Sequence, residues 1–269
     1  MTSVIRRTIQ VDGADLHAVI EANGDRPWLT MLHALATDHR MWDAEAAAFA
    51  RTHKILRLDM RGHGASTASP PPYDLAGLVR DVVSSWDTLG IAWSDVMGLS
   101  IGGMLALGLA LDHPARVGRI VAANCRADAP VWFRTMFDSR RQAVLIGGMQ
   151  AVVDTTLGTW LTETTREARP EVEIAARAMI LGTSRNGYLG ATAALQSLTL
   201  LPRLGSIAAP IQLIVGAQDG RHPAAMAEMA AAIPDARLHS LAGAAHLSNL
   251  DQPAAFLASA AQFLCGSGQ

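Results

Sequence analysis

The chain has 269 residues, half of them hydrophobic, and a formal net charge of −2. This length favours one large core with an inserted subdomain. The near-neutral charge lacks the basic footprint by which proteins bind nucleic acid or an anionic membrane surface, so we expect a small-molecule partner. The sequence leaves open whether the chain forms a homo-oligomer.

Targeting and redox signals point to the cytoplasm. Mean hydropathy is positive, but no uncharged run approaches the roughly 18 residues that a membrane-spanning helix needs. An Arg pair near Met1 is not followed by an apolar segment, so we expect neither a secretory nor a twin-arginine signal. Cys125 and Cys265 lie far apart without metal-ligand spacing, which predicts free thiols in a reducing compartment and no metal site.

The chain begins with a predicted β-hairpin. Val4–Val11 and Leu16–Ala22 alternate in polarity, and Asp12-Gly13 between them favours a tight turn. We expect these two strands to form an antiparallel edge of a sheet.

After the hairpin the pattern changes to short apolar runs separated by helical periodicities, which is typical of parallel βα units. The further predicted strands are Trp28–Leu32, Ile55–Leu58, Val96–Met97, Ile120–Ala123, Ile211–Val215 and Arg237–Leu241. The clearest helices are Leu75–Leu89 and Ile101–Leu111. The sequence therefore predicts an α/β fold whose mostly parallel eight-stranded sheet is flanked by helices.

A helical segment interrupts this alternation after the sixth predicted strand. We predict a helical cap subdomain at residues 126–203, inserted in a core domain made of residues 1–125 and 204–269. Because open α/β sheets bind ligands beyond the carboxyl ends of their strands, the cap should lie over the substrate pocket.

The strongest chemical signal is Gly98-Leu99-Ser100-Ile101-Gly102, a G-x-S-x-G motif between a buried strand and a helix. The chemistry needs small residues at Gly98 and Gly102, because a nucleophilic Ser100 must occupy a strained turn. The plainer interpretation is a glycine-rich helix start with an incidental serine.

A serine nucleophile needs a histidine base and an acid that orients it. His246 follows the last predicted strand and is the candidate base, whereas packing or surface roles account for His17, His53, His113 and His239. Asp219, just beyond Ile211–Val215, is the candidate acid. Asp128, after the preceding strand, is its competitor.

An oxyanion hole needs two backbone donors, for which we expect the N–H groups of Ile101 and Leu35. His33, in the loop that carries Leu35, is expected to bond the loop backbone rather than exchange protons. The segment Arg61-Gly62-His63-Gly64 could bind an anion, but a structural turn held by Arg61 is the favoured interpretation.

The predicted cap contributes the candidate pocket residues Arg126, Trp132, Met136 and Trp160. The aromatic residues and Met136 could line the pocket or pack the cap onto the core. An arginine could hold a substrate carboxylate in a bidentate pair, although solvated helix faces explain most of the candidates. These candidates are Arg126, Arg134, Arg140, Arg141 and Arg185.

Four segments together resemble 3-oxoadipate enol-lactonases and related members of the α/β-hydrolase superfamily: His33–Asp38 with Met41–Asp43, Leu58–Ser66, Gly98–Met104 and His246–Asn249. The resemblance spans most of the core and implies an α/β-hydrolase fold. It also implies a cofactor-free hydrolase that opens a small lactone or ester beneath a helical cap. The chain departs from the lactonases in the cap and in His33-Ala34-Leu35-Ala36, where they usually carry Asn-Ser-Leu-Gly.

These residues predict a serine hydrolase that acts through an acyl-enzyme. The alternatives on the same three residues are a general carboxylesterase, an amidase, a perhydrolase and a C–C bond hydrolase. A non-catalytic binding protein on the same fold is a further alternative, since a fold does not determine a function.

Overall fold

The computed structural model describes residues 3–22 and 24–266. In this part of the chain, eight strands form one sheet in the order β1-β2-β4-β3-β5-β6-β7-β8. They are β1 (Ser3–Val11), β2 (Ala14–Ala22), β3 (Trp28–Leu32), β4 (Lys54–Leu58), β5 (Ser94–Leu99), β6 (Val117–Ala123), β7 (Ile211–Gly216) and β8 (Ala236–Leu241).

The predicted hairpin forms the antiparallel edge of this sheet. β1 and β2 pair with Val11 opposite Ala14, and Gly13 supplies the positive φ of 73° that the turn requires. β2 also pairs antiparallel with β4, whereas the pairs from β4 to β8 are parallel. The α/β fold with a mostly parallel eight-stranded sheet is confirmed.

The strand order reverses around β3, because the chain crosses from β3 to β4 on one side and later returns to β5 on the other. Loops beyond the carboxyl ends of β3 and β5 therefore diverge and leave a crevice between them. The loop that carries Leu35 follows β3 and the turn that carries Ser100 follows β5, so both border this crevice.

Six helices belong to the sheet-flanking layers: α1 (Asp43–Phe49), α2 (Leu75–Leu89), α3 (Ile101–Asp112), α9 (His222–Ala232), the short α10 (Ser248–Asp251) and α11 (Pro253–Cys265). Helix α3 is buried from Ile101 to Ala110, which matches its almost wholly apolar sequence. Helix α2 begins at Asp74, whose carboxylate accepts the Gly77 N–H, and ends at Gly90 with a φ of 68°.

Five helices lie between β6 and β7, so the helical cap after the sixth strand is confirmed. They are α4 (Val131–Gly147), α5 (Val153–Trp160), α6 (Glu163–Ala168), α7 (Pro170–Gly182) and α8 (Arg185–Gln196). Several hydrogen bonds attach them to the last loops of the core. Leu247 N–H donates to the Trp160 carbonyl at 2.9 Å, and Thr162 N–H donates to the Asp251 carboxylate at 3.1 Å.

Most strands are longer than their apolar patterns predicted, and β6 begins at Val117, three residues before the predicted start at Ile120. β5 begins at Ser94, two residues before the predicted start at Val96. The buried Ser94 hydroxyl lies 2.9 Å from the Thr30 hydroxyl on β3, so a polar residue is accommodated inside the sheet. Nowhere in residues 3–22 and 24–266 does a helix combine the length and the apolarity that crossing a bilayer would require.

Candidate functional site

Ser100 occupies a strained turn between β5 and α3. Its φ of 57° and ψ of −120° are unfavourable for a residue with a side chain. Its N–H donates to the Ala123 carbonyl of β6 at 2.8 Å, which holds the turn against the sheet. A Cβ at Gly98 would overlap the Gly102 backbone, and a Cβ at Gly102 would overlap the Leu32 carbonyl. The two glycines are therefore steric requirements of this turn.

His246 and Asp219 are hydrogen-bonded to one another. His246 Nδ1 donates to Asp219 Oδ2 at 2.9 Å, which leaves the other ring nitrogen available for a substrate or nucleophile. Asp219 lies beyond the end of β7 and is 6% exposed. Burial opposes its ionisation, but the partners His246 and His222 outweigh that effect and hold the pKa of Asp219 below its usual value. The carboxylate is therefore charged at neutral pH.

Ser100 and His246 line the same cavity, whose volume is about 550 Å³. The candidate pocket residues Trp132, Met136 and Trp160 line it from the cap, and Leu35 lines it from the loop after β3. A cavity of this size suits a small organic molecule. Its wall is completed by Met104, Phe133, Phe137, Arg140, Gly158, Thr159, Leu161, Thr162, Glu163, Arg166, Leu195, Gln218, Asp219, Gly220, Arg221, His222 and Ala245.

Arg126 is not among the residues that line this cavity, which corrects its assignment to the pocket. Its guanidinium donates to the Asp128 carboxylate at 2.5 Å and to the Asp128 carbonyl at 2.7 Å. It also lies 5.0 Å from the ring centroids of both Trp132 and Phe133. Arg126 thus braces the aromatic residues that form the cavity wall. The Asp128 carboxylate binds this arginine, whereas the His246 ring bonds Asp219.

The loop after β3 is held by a buried histidine. His33 Nδ1 donates to the Ala34 carbonyl at 2.7 Å, and its Nε2 accepts the Met60 N–H at 2.9 Å. Burial lowers the pKa of His33, so the ring stays neutral and can accept that bond. These contacts match the expected structural role of His33. They hold the backbone beside Leu35, while Ile101 is the first residue of α3 and has no acceptor for its N–H within that helix.

The remaining predicted histidines and the Arg61 turn make local contacts. Arg61 donates to the Asp81 carboxylate at 2.7 Å and to Ser69 at 2.9 Å, so its guanidinium holds a turn. His17 bonds Asp59 at 3.0 Å, and His239 bonds Ser259 at 2.9 Å. His53 lies 3.5 Å from Asp95, and His113 caps the end of α3.

Sequence reasoning missed two residues that contact the acid. Asn124 follows β6 with a positive φ of 47°, and its amide donates to Asp219 Oδ2 at 2.8 Å. His222 Nδ1 lies 3.2 Å from Asp219 Oδ1. The position of Asn124 directly after a buried strand was the available signal, since asparagine tolerates this backbone region better than most residues.

Arginines also line the cavity, and sequence reasoning had proposed only some of them as pocket residues. Arg140 was one of five candidates, whereas Arg166 and Arg221 were not considered. Arg140 and Arg166 are both half-buried. The buried Nε of Arg166 has no hydrogen-bond partner among the described residues. Arg221 lies 4.9 Å from the Trp132 ring centroid, which joins the acid loop to the cap.

Comparison with known proteins establishes the family. The family model described as alpha/beta hydrolase fold matches residues 27–253. The chain belongs to the α/β-hydrolase fold family. Its expected fold is therefore confirmed by a comparison that covers most of the chain, as well as by the sheet topology.

Three similar proteins show where this α/β hydrolase stands within the family. The 3-oxoadipate enol-lactonase 2 of Acinetobacter baylyi is 29% identical over 255 residues, covering 93% of this chain and 92% of that protein. The crystal structure of the enol-lactonase from Burkholderia xenovorans LB400 has a TM-score of 0.92 at 33% identity, covering 96% of this chain and 100% of that one. The putative carbamate hydrolase RutD of Variovorax paradoxus is 26% identical over 257 residues, covering 93% and 96%. The resemblance to enol-lactonases is confirmed, and the chain is an enol-lactonase-like α/β hydrolase.

Proposed function

We propose that this protein is a serine hydrolase that opens a small lactone or ester by way of an acyl-enzyme. One observation carries the proposal: the strained Ser100 and the Asp219-bonded His246 line one cavity. Strain aims a serine side chain outward, and an oriented imidazole supplies the base that a neutral hydroxyl needs.

The proposed reaction has two halves. His246 takes the Ser100 proton as Oγ attacks the carbonyl carbon, while the N–H groups of Leu35 and Ile101 stabilise the oxyanion. His246 then protonates the departing alkoxide, which leaves an acyl-enzyme. A water molecule, deprotonated by His246, releases the acid and restores Ser100. In a lactone the alkoxide stays tethered, so ring opening gives one hydroxy acid, or one keto acid from an enol-lactone.

The cavity arginines favour a substrate that carries a carboxylate. Arg140 and Arg166 reach the cavity from α4 and α6, and a guanidinium matches a carboxylate in a bidentate pair. Among the described residues, two acidic side chains line the cavity, Asp219 and Glu163. The Asp219 carboxylate already contacts two histidines. An arginine directed into the pocket is the feature that favours a carboxylated lactone over a neutral ester.

The proposed nucleophile is tested with Ser100→Ala and a matched control, Ser206→Ala, which changes an exposed serine outside the cavity. If the three residues act as a unit, Ser100→Ala lowers kcat by about 10⁴–10⁶-fold. It also abolishes labelling by a fluorophosphonate probe, whereas the control retains both. A loss of less than about tenfold in kcat would overturn the assignment.

The substrate class is tested with a carboxylated enol-lactone and its methyl ester. We expect Arg140→Gln to raise KM about tenfold for the acid and to leave the methyl ester nearly unchanged, because one charge-assisted pair is lost. Arg185→Gln is the control, since Arg185 donates to the Leu145 carbonyl and is not a cavity residue. Parallel assays with p-nitrophenyl acetate, an amide, a carbamate and a β-diketone separate the rival bond types.

Two further expectations belong with this proposal. We take residues 126–203 as the subdomain that selects the substrate and residues 1–125 with 204–269 as the catalytic core. We also keep the cytoplasm as the expected location, to be checked by fractionation of the cells that make the protein.

A further inference from the structure

A second histidine contacts Asp219, the acid of the proposed triad Ser100, His246 and Asp219. His222 is the first residue of α9, three residues after Asp219, and its Nδ1 lies 3.2 Å from Asp219 Oδ1. The other oxygen, Oδ2, accepts from His246 at 2.9 Å and from Asn124 at 2.8 Å. The two oxygens of this carboxylate therefore have different partners.

The different partners constrain rotation of the carboxylate. Turning Asp219 about its Cβ–Cγ bond would move Oδ2 away from His246 and would at the same time break the contact between Oδ1 and His222. The backbone supports the same arrangement, because His222 N–H donates to the Asp219 carbonyl at 2.9 Å.

We infer that His222 is a positioning residue for the proposed triad. It holds Asp219 with Oδ2 turned toward His246. The inference rests on the proposed function, because it assigns to His222 an effect exerted through His246. The residue does not replace the base. It keeps the base in the orientation and tautomer that proton transfer from Ser100 requires.

The charges around His222 determine how its loss affects the pH profile. Asp219 and His246 are its neighbours, with the His246 ring centroid 5.0 Å away, and Arg221 precedes it in the chain. Arg140, Arg166 and Glu163 line the same cavity. The contact of His222 with Oδ1 draws negative charge away from Oδ2. Without that contact, Asp219 stabilises a positively charged His246 more strongly.

The inference is tested by His222→Leu and His222→Asn, with His239→Leu as a matched control. Asn places an amide donor near the position of the imidazole Nδ1, whereas Leu removes the donor and keeps the bulk. His239 lies on β8, bonds Ser259 and is not a cavity residue. The assays are kcat and KM for p-nitrophenyl acetate, the pH profile of kcat/KM, and the melting temperature.

We expect His222→Leu to lower kcat about tenfold with little change in KM, because His246 is no longer held in the orientation that proton transfer requires. The acid limb of its kcat/KM profile should move to higher pH. His222→Asn should recover most of the lost kcat, and the control should match the wild type. A packing role alone would lower the melting temperature without moving the acid limb, and that result would overturn the inference.

Two other outcomes also overturn it: an unchanged kcat in His222→Leu, or an equal loss in the Asn and Leu variants. Ser100→Ala distinguishes these failures from failure of the proposed function. If Ser100→Ala is inactive and His222→Leu matches the wild type, only the role of His222 is wrong. If Ser100→Ala stays active, the proposed triad is wrong and the inference is overturned with it.

Discussion

Two clusters in this molecule each contain one buried aspartate and two histidines. In one, Asp59 bonds His17 at 3.0 Å and His39 at 2.9 Å; in the other, Asp219 lies 2.9 Å from His246 and 3.2 Å from His222. The ring centroids are 5.0 Å apart in both clusters, with interplanar angles of 52° and 50°. Side-chain composition and local geometry therefore do not distinguish a candidate active site from a structural cluster.

The surroundings distinguish the two clusters. The Asp59 carboxylate also accepts the N–H groups of His39 at 2.7 Å and Ala65 at 3.1 Å. The nearby Ser66 hydroxyl donates to the Asp59 carbonyl and accepts the His17 N–H, so both its functions are used within the fold. Ser100, by contrast, occupies a strained turn on a cavity beside His246. A serine that lines the same cavity as the histidine is what makes one cluster a candidate for chemistry.

Within this comparison, the largest expected effect comes from replacing Asp219, the aspartate of the cluster at the cavity. Asp219→Asn should lower kcat by about 10⁴-fold, because the amide favours the wrong tautomer of His246. Asp128→Asn should stay close to the wild type, since Asp128 binds Arg126 instead. Steady-state kinetics on p-nitrophenyl acetate measures both. Near-normal activity in Asp219→Asn would remove the distinction between the two clusters.

The same substitution in the other cluster should affect stability more than activity. Asp59→Asn should lower the free energy of unfolding by about 3 kcal/mol at pH 7, since several donors lose a charged acceptor. At temperatures where the Asp59→Asn variant is folded, its kcat should still be within about threefold of the wild type, because no Asp59 contact reaches the cavity. Chemical denaturation monitored by circular dichroism provides the comparison.

The stabilising effect of Asp59 should depend on pH in a definite direction. Burial raises its pKa, but the hydrogen bonds from His39 outweigh burial and hold the pKa below the usual 3.8. A carboxyl whose folded pKa is lowered stabilises the fold above its unfolded pKa and loses that effect as pH falls through the folded value. The difference in unfolding free energy between the wild type and Asp59→Asn should therefore have its full value at pH 6 and decrease below pH 3.8. A constant difference across this range would contradict the ionic role.

Glu45 extends the comparison to a buried carboxyl that lacks histidine partners. It is 1% exposed on α1, and its Oε2 has no hydrogen-bond partner among the described residues. Burial raises its pKa to about 7 from 4.5. A carboxyl with a raised folded pKa stabilises the fold fully below its unfolded value and loses that contribution as pH rises through the folded one. Glu45 therefore costs stability at alkaline pH, where it must ionise while buried.

We expect Glu45→Gln to stabilise the protein by up to about 3 kcal/mol at pH 8 relative to its effect at pH 4, since each shifted pKa unit is worth about 1.4 kcal/mol. Glu228→Gln on α9 is the matched control, because Glu228 is exposed. Melting temperatures at the two pH values test the prediction. A gain that is equal at pH 4 and pH 8 would mean that ionisation of Glu45 is not responsible.

The smallest expected effect is at His17. His17→Leu removes one donor to Asp59 but leaves the bonds from His39, so the cost should be about 1 kcal/mol in unfolding free energy. Activity should not change. A tenfold loss of kcat in a variant that melts normally would show that this cluster influences the cavity after all, and the contrast with His222→Leu would be lost.

The strained turn at Ser100 could be predicted because its constraint is local. Gly98, Ser100 and Gly102 are required by one turn, and the flanking strand and helix are visible in the same stretch of sequence. Asp219 and His246 could be proposed because each follows a predicted strand, and the carboxyl ends of parallel strands meet at one edge of the sheet. The start of β5 could not be predicted from the apolar pattern, because Ser94 is polar and its partner Thr30 is distant in sequence.

The cavity residues could be predicted only in part. Helical periodicity shows which side chains share a face of a cap helix, but not how that helix is rotated over the core. Trp132, Met136 and Trp160 do line the cavity. Arg126 does not, because its guanidinium is bound by Asp128, two residues away. Arg166 was overlooked because nothing in its local pattern separates it from a solvated arginine.

The sequence by itself determined the α/β fold, the eight-stranded sheet, the position of the helical cap and the strained turn at Ser100. These depend on residue periodicity and on steric limits that act within a few residues. Only the tertiary structure decided that Asp219 and not Asp128 bonds His246, that Asn124 and His222 contact Asp219, and that Arg140 and Arg166 reach the cavity. Those contacts join side chains from different loops and cap helices, so they depend on how the elements pack, which no local pattern in the sequence specifies.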